Sequence, residues 1–157
     1  EIKMKTKGKM RKILSGLLIV LTIVQAAISP ISAYASEKEK EKTTLYEEVK
    51  ELFFDQQQQI DESEKEFILK EAEGTKEHLE EIDQIISQKA KKWSKERMSK
   101  VDLAILRLAI YEIYFSNEIP YSVAVNEAVE LAKKFSTEES PAFINGILGS
   151  IVSEKTQ

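Results

Sequence analysis

The segment SKVDLAILRLAIYEIY, residues 99–114, decides the fold class. Ser99 and Asp102 stand in the S-x-x-D relation of a capping box, in which a side-chain oxygen takes up one of the backbone N–H groups that a helix start leaves unpaired. Behind them Val101, Ala104, Ile105, Leu108, Ala109 and Ile113 recur at helical spacing and fill one face. Leu103, Leu106, Ile110 and Tyr114 widen that face. A helix apolar around most of its circumference has to be surrounded, so the segment predicts the central member of a helical bundle. It ends at Asn117-Glu118-Ile119-Pro120, because proline disfavours helical geometry in the residue before it.

The flanking residues keep the same period. Upstream, Leu45, Val49, Leu52 and Phe53 predict a short amphipathic helix over 44–55. Ser63 and Glu66 have capping-box spacing and open a helix carrying Phe67, Ile68 and Ala72, which stops or bends at Gly74. Leu79, Ile82, Ile86 and Ala90 form a stripe ending at Trp93. Downstream, Val123, Ala128, Val129, Ala132 and Phe135 predict another amphipathic helix. Ser140 then Pro141 reads as cap then first helical position of a last helix through Ile144, Ile147, Leu148 and Ile151. Gly146 and Gly149 lie inside it at a cost of about 1 kcal/mol each relative to Ala, and close approach of another helix would explain them. No stretch alternates with period two and no internal repeat occurs, so the class is all-α.

Composition narrows the chemistry. In 157 residues there are no Cys and one His, which removes disulfides, thiolate metal sites and Cys nucleophiles and leaves little for His-based relays. His78, among Glu77, Glu80 and Glu81, reads as a surface residue without partner ligands for a metal. The net charge of −4 averages three unlike parts. Residues 1–12 hold six Lys or Arg against Glu1, a net +5, and residues 13–35 hold no charge. The chain from Ser36 onward carries 17 basic and 26 acidic residues, a net −9.

The first part has the layout of a secretory signal peptide. A basic start leads into the apolar run Ile13 to Ile28, broken only by Ser15, Gly16, Thr22 and Gln25, then Pro30 and Ala33-Tyr34-Ala35, with cleavage expected after Ala35. Sixteen residues rise about 24 Å as a helix, short of a roughly 30 Å hydrocarbon core, so a permanent span is the weaker reading. A buried core helix over the same run stays open. Met4 and Met10 are candidate initiators. Residues 1–35 are thus a signal-peptide-like or aberrant segment, 36–44 a charged linker, and 45–157 the helical domain.

Four blocks carry a family resemblance: Trp93-Ser94-Lys95-Glu96-Arg97; VDLAILRLAIYE, 101–112; IPYSVAVNEAVELAK, 119–133; and SPAFINGIL, 140–148. In order and spacing they resemble the transcription antitermination factor NusB family. The resemblance covers 93–152 block by block and continues with lower similarity over 45–92. It does not reach the arginine-rich opening of such proteins, of the kind R-R-x-A-R-E-x-A-L-Q-A-L-Y, which nothing in residues 1–44 matches. It implies a NusB-like bundle of about six or seven helices, no catalysis and no cofactor. It also implies a cytoplasmic partner, the small-subunit ribosomal protein NusE, a boxA-type RNA target, and an RNA polymerase antitermination complex rather than DNA. A membrane enters only if the N-terminal segment is a working signal. The competing reading is an exported or membrane-tethered helical bundle that kept the scaffold without an RNA role. In a third, Ile13–Ile28 folds back to replace the missing first helix.

Lys89, Lys91, Lys92, Lys95, Arg97 and Lys100 around Trp93 form one basic cluster in an acidic body, suited to phosphate or simply a solvated face. Lys89, Lys92 and Arg97 are taken as RNA-binding. Phe143 stands where the family places an aromatic near RNA, though its spacing with Ile147 equally suits the core. Ala142 before it replaces a Lys that many relatives carry. Asn145 either faces RNA or bonds to a neighbouring backbone. Glu96 and Asp102 fall where the family presents acids to NusE, and Asp102 is also the capping acid. Arg107 can pair with Glu112 or Glu130, or with RNA. Lysines 5–12 offer charge in place of the arginine-rich opening, but without the planar fork that arginine uses on phosphate.

Overall fold

The structure, a computed structural model, describes residues 47–48, 50–51, 54–55, 60–90, 98–116 and 118–156. The signal-like segment, the linker, Trp93 and the 91–97 stretch lie outside the described residues. Five helices are complete among those described: α1 (Glu62–Glu77), α2 (Leu79–Lys89), α3 (Lys100–Tyr114), α4 (Tyr121–Phe135) and α5 (Ser140–Lys155). No strand occurs among the described residues, so the all-α expectation holds.

The chain divides into two compact units, Glu1–Leu69 and Lys70–Gln157. In the first, the described residues between 47 and 55 are helical, as the 44–55 pattern predicts. The start of α1 differs from expectation. Asp61, not Ser63, is its capping residue: Asp61 Oδ1 accepts from the Glu64 N–H at 2.9 Å, and Glu64 Oε2 accepts from the Asp61 N–H at 3.1 Å. Two orphan donors are thus satisfied reciprocally, two residues earlier than the Ser63–Glu66 pattern indicates, while the Ser63 hydroxyl is spent on Asp61 at 2.6 Å.

The second unit is built around α3. Residues 102–113 are all buried, and the helix is capped as its sequence dictates, with the Ser99 hydroxyl accepting from the Asp102 N–H at 2.9 Å. The α4 and α5 helices pack on α3 and on each other, and α2 packs on α3 and α5. The buried stripe of α2 is Ile82 and Ile86, as expected. That of α4 is Ala124, Glu127, Ala128, Leu131 and Ala132, while Phe135 is 37% exposed instead of joining the core. The α5 stripe is Ser140, Ile144, Ile147, Leu148 and Ile151. Ser140 is the first helical residue rather than the cap, and its hydroxyl lies 2.9 Å from that of Ser136 and 2.8 Å from that of Thr137.

The structure departs from the sequence expectation at Gly74, at His78 and at the pair Gly146 and Gly149. The α1 helix neither stops nor bends at Gly74. It runs on to Glu77, and glycine fits there because the Tyr111 side chain of α3 lies against the bare backbone; a Cβ on Gly74 would sit 2.1 Å from the Tyr111 Oη. His78, which separates α1 from α2, is half-buried, stacks on Phe115 at 3.9 Å between ring centroids, and bonds to Glu81 at 2.9 Å. Gly146 and Gly149 are exposed, and among the described residues nothing lies within 4 Å of where their Cβ atoms would be. No described helix approaches them closely, so among the described residues they cost helix propensity without a packing return. Gly146→Ala and Gly149→Ala are each expected to raise folding stability by about 1 kcal/mol, read from the midpoint of urea unfolding at constant m.

Candidate nucleic-acid and protein interface

Lys89 closes α2. Its ammonium is paired with Glu154 near the end of α5, and its side chain is 17% exposed. The cation expected to meet phosphate is therefore partly covered and already balanced by an acid. Lys92 and Arg97, with Glu96 on the proposed protein-binding side, lie outside the described residues. Lys100, at the start of α3, is exposed.

Asp102 is only 7% exposed. Its backbone N–H is given to Ser99, and its Oδ1 accepts from the Ser136 hydroxyl at 2.6 Å. Ser136 in turn lies 2.9 Å from the Ser140 hydroxyl, so one carboxylate ties the start of α3 to the end of α4 and the start of α5. The acid marked by the sequence thus has a structural duty at the meeting of three helix ends.

Phe143 and Asn145 both stand on α5 but point differently. Phe143 is half-buried beside the buried stripe, and Asn145 is exposed with Ala142, Gly146 and Gly149. Phe143 precedes Glu154, the partner of Lys89, by eleven residues, or about 16 Å of helix at 1.5 Å per residue. The aromatic and Lys89 therefore sit toward opposite ends of α5 rather than in one cluster.

Arg107 pairs with neither Glu112 nor Glu130. It makes a two-pronged bond to Asp83 of α2, Nε to Oδ1 at 2.8 Å and a terminal nitrogen to Oδ2 at 2.8 Å, with side chains 10% and 18% exposed. That fork fixes α2, and with it Lys89, against α3. Sequence reading missed it because Asp83 and Arg107 lie 24 residues apart on different helices. Lys155 was likewise missed: its ammonium donates to the Ile113 carbonyl at 2.6 Å and lies over the rings of Tyr114 at 4.4 Å and Tyr121 at 5.2 Å. Among the described residues no group of three His, Cys, Asp or Glu side chains is placed to hold a metal ion. No described helix is long and apolar enough to cross a membrane.

Comparison with known proteins agrees with this architecture. The NusB family model matches residues 19–153, starting inside the apolar run and so reaching further toward the N-terminus than the four sequence blocks. The transcription antitermination protein NusB of Acetivibrio thermocellus is 53% identical over 100 residues, 64% of this chain and 69% of that protein. Its counterpart in Agathobacter rectalis is 45% identical over 108 residues, 69% of this chain and 82% of that protein. Against other curated relatives the match spans less, as with Thermoanaerobacter sp. at 64% and Thermodesulfovibrio yellowstonii at 55% of the relative's length. Among solved structures, T. maritima NusB superposes with a TM-score of 0.72 at 33% identity, covering 92% of this chain and 90% of that one. A chain from the crystal structure of the antitermination factors NusB and NusE in complex with dsRNA shares the fold, with a TM-score of 0.67 at 22% identity over 92% of this chain and 98% of that one. With the helices in the order the sequence blocks require and the family model matched from residue 19 to residue 153, this chain belongs to the NusB family.

Proposed function

We propose that this chain is a transcription antitermination factor. It acts as a non-catalytic module that joins the ribosomal protein NusE on boxA-type RNA and, with RNA polymerase in the cytoplasm, favours read-through in ribosomal RNA transcription. The observation that supports this reading above the others is the family match over residues 19–153. In it Lys89, Lys92 and Arg97 meet phosphates, Phe143 stacks on an unpaired base, Asn145 offers its amide to RNA, and Glu96 and Asp102 face NusE. Two of these roles carry conditions set by the geometry. Lys89 reaches a phosphate only by leaving or sharing Glu154, and Asp102 reaches NusE only by sharing the Ser136 hydroxyl. Since the chain from Ser36 onward is net −9, the phosphate contacts rest on its local lysines and on the basic arm of residues 3–12.

The test is a titration of boxA RNA with the full chain, alone and with NusE, at low salt and then across a salt series. Binding is expected in the presence of NusE, with the logarithm of affinity falling linearly as the logarithm of salt rises. Phe143→Leu is expected to weaken it about fivefold, the low end of the 1–3 kcal/mol per stacked base, because the ring is already half-covered. No binding in either arm would defeat the reading.

A further inference from the structure

Three glutamates from three helices end inside the second unit without an ion-pair partner among the described residues. Glu71 of α1 is fully buried, Glu112 of α3 is 3% exposed and Glu127 of α4 is 4% exposed. Among the described residues Glu71 Oε2 has no hydrogen-bond partner, and its Oε1 accepts from the Ser116 hydroxyl at a long 3.5 Å. A carboxylate taken out of water without a cation costs several kcal/mol, and the group responds by keeping its proton.

The charges around them do not relieve this. Glu71 faces Glu118 from the turn after α3, Lys70 from its own helix and Tyr111 from α3. Lys70 is itself paired with Glu118. Glu112 faces Glu71 from α1 and Glu127 from α4. From α2, Asp83 is taken by Arg107, and from α5 the Lys155 ammonium is held on Ile113 and two tyrosine rings. Burial first, then the charge of Glu118, pushes the Glu71 carboxyl from its ordinary 4.5 up to about 7. Burial first, then Glu71 and Glu127, pushes Glu112 up to about 8. Both shifts are upward, so between pH 4.5 and pH 8 the folded chain holds protons that the unfolded chain has released. Their stabilisation is complete below the ordinary value, declines as pH rises and is gone above about 8.

The consequence falls unevenly on the helices. The α3 and α5 helices hold together through fully buried Ile105, Leu108, Ile113, Ile144, Leu148 and Ile151. The Lys70–Glu77 half of α1 brings only Glu71, Ala72, Gly74 and Thr75 to the interior, little apolar area to offset a charge. We propose that Glu71 and Glu112 form a proton-operated latch: protonated, they keep the Lys70–Glu77 half of α1 seated on α3, and charged, they lift it away while α3, α4 and α5 stay packed. Local opening of one weakly packed element below the global unfolding free energy is ordinary protein behaviour; here the proton sets its threshold.

Hydrogen exchange of the full chain at pH 6, 7, 8 and 9, each amide normalised to its intrinsic rate, tests the latch. Protection over 70–77 is expected to fall at least tenfold between pH 6 and pH 9, while protection over 103–113 changes less than threefold. In E71Q/E112Q, where neither side chain can ionise, the fall should vanish. Constant protection over 70–77, a loss shared equally by 103–113, or the same loss in E71Q/E112Q would each overturn the proposal. Should the variant not fold, a carboxyl carbon NMR titration of the wild-type chain decides: midpoints above 6 for Glu71 and Glu112 are expected, and midpoints near 4.5 refute it.

Discussion

Asp83→Ala should lose about 3–5 kcal/mol of folding stability, because it leaves Arg107 ten per cent exposed with no partner for a charge that cannot be neutralised. That is a large share of the 5–15 kcal/mol that holds a typical domain together. The loss measures an unpaired buried charge and not the worth of the pair, so Asp83→Leu with Arg107→Met should recover most of it. Urea unfolding of the three proteins at pH 7 gives the comparison. A loss under 1 kcal/mol for Asp83→Ala would mean that water reaches the guanidinium in the native state. Since the fork sets α2 on α3 and α2 ends at Lys89, Asp83→Ala should also weaken RNA binding without touching RNA.

Gly74→Ala is expected to destabilise by about 1–3 kcal/mol, against the sign that helix propensity predicts. The added methyl would meet the Tyr111 Oη at 2.1 Å, its Cζ at 2.2 Å and its Cε2 at 2.6 Å, so the edge of the ring is struck and not merely its hydroxyl. The ring has little freedom to swing, being stacked 6.0 Å from Phe115 and tilted 6.2 Å from His78. In a Tyr111→Ala background the obstacle is gone, and Gly74→Ala should become neutral or stabilising. A double-mutant cycle in thermal unfolding with no coupling between the two positions would contradict this contact.

How far the sequence carried can be read from these same residues. Ser99 and Asp102 were legible because a cap is a contact between near neighbours, and residues 99–114 were legible as the central helix because twelve consecutive buried residues leave no other place for them. Asp61–Glu64 and Ser63–Glu66 both satisfy the capping pattern, and the pattern alone does not say which residue leaves the helix. Gly74 misled in an instructive way: glycine marks a helix end or a close neighbour with equal right, and the neighbour is 37 positions away. Gly146 and Gly149 erred in the opposite direction, read as close approach where the described residues leave open space. In the candidate site, Phe143 and Asn145 were placed on α5 correctly, but the pairing of Lys89 with Glu154 and of Arg107 with Asp83 is set by which helices become neighbours. Buried Glu71 and Glu112 were invisible for the same reason, since a glutamate on a Glu- and Lys-rich helix reads as solvated until its face is known.

The hydroxyl bridge from Asp102 to Ser136 has a consequence for the newborn chain. Ser136 is made 34 residues after Asp102, about 2–7 s later at ordinary synthesis rates of 5–20 residues per second. During that interval α3, apolar around most of its girth, has its cap and α2 but lacks both its carboxylate's partner and the two later helices that cover it. A strongly apolar segment therefore waits for shelter on the ribosome, and the few seconds before α4 and α5 emerge are when it most needs a chaperone's hold.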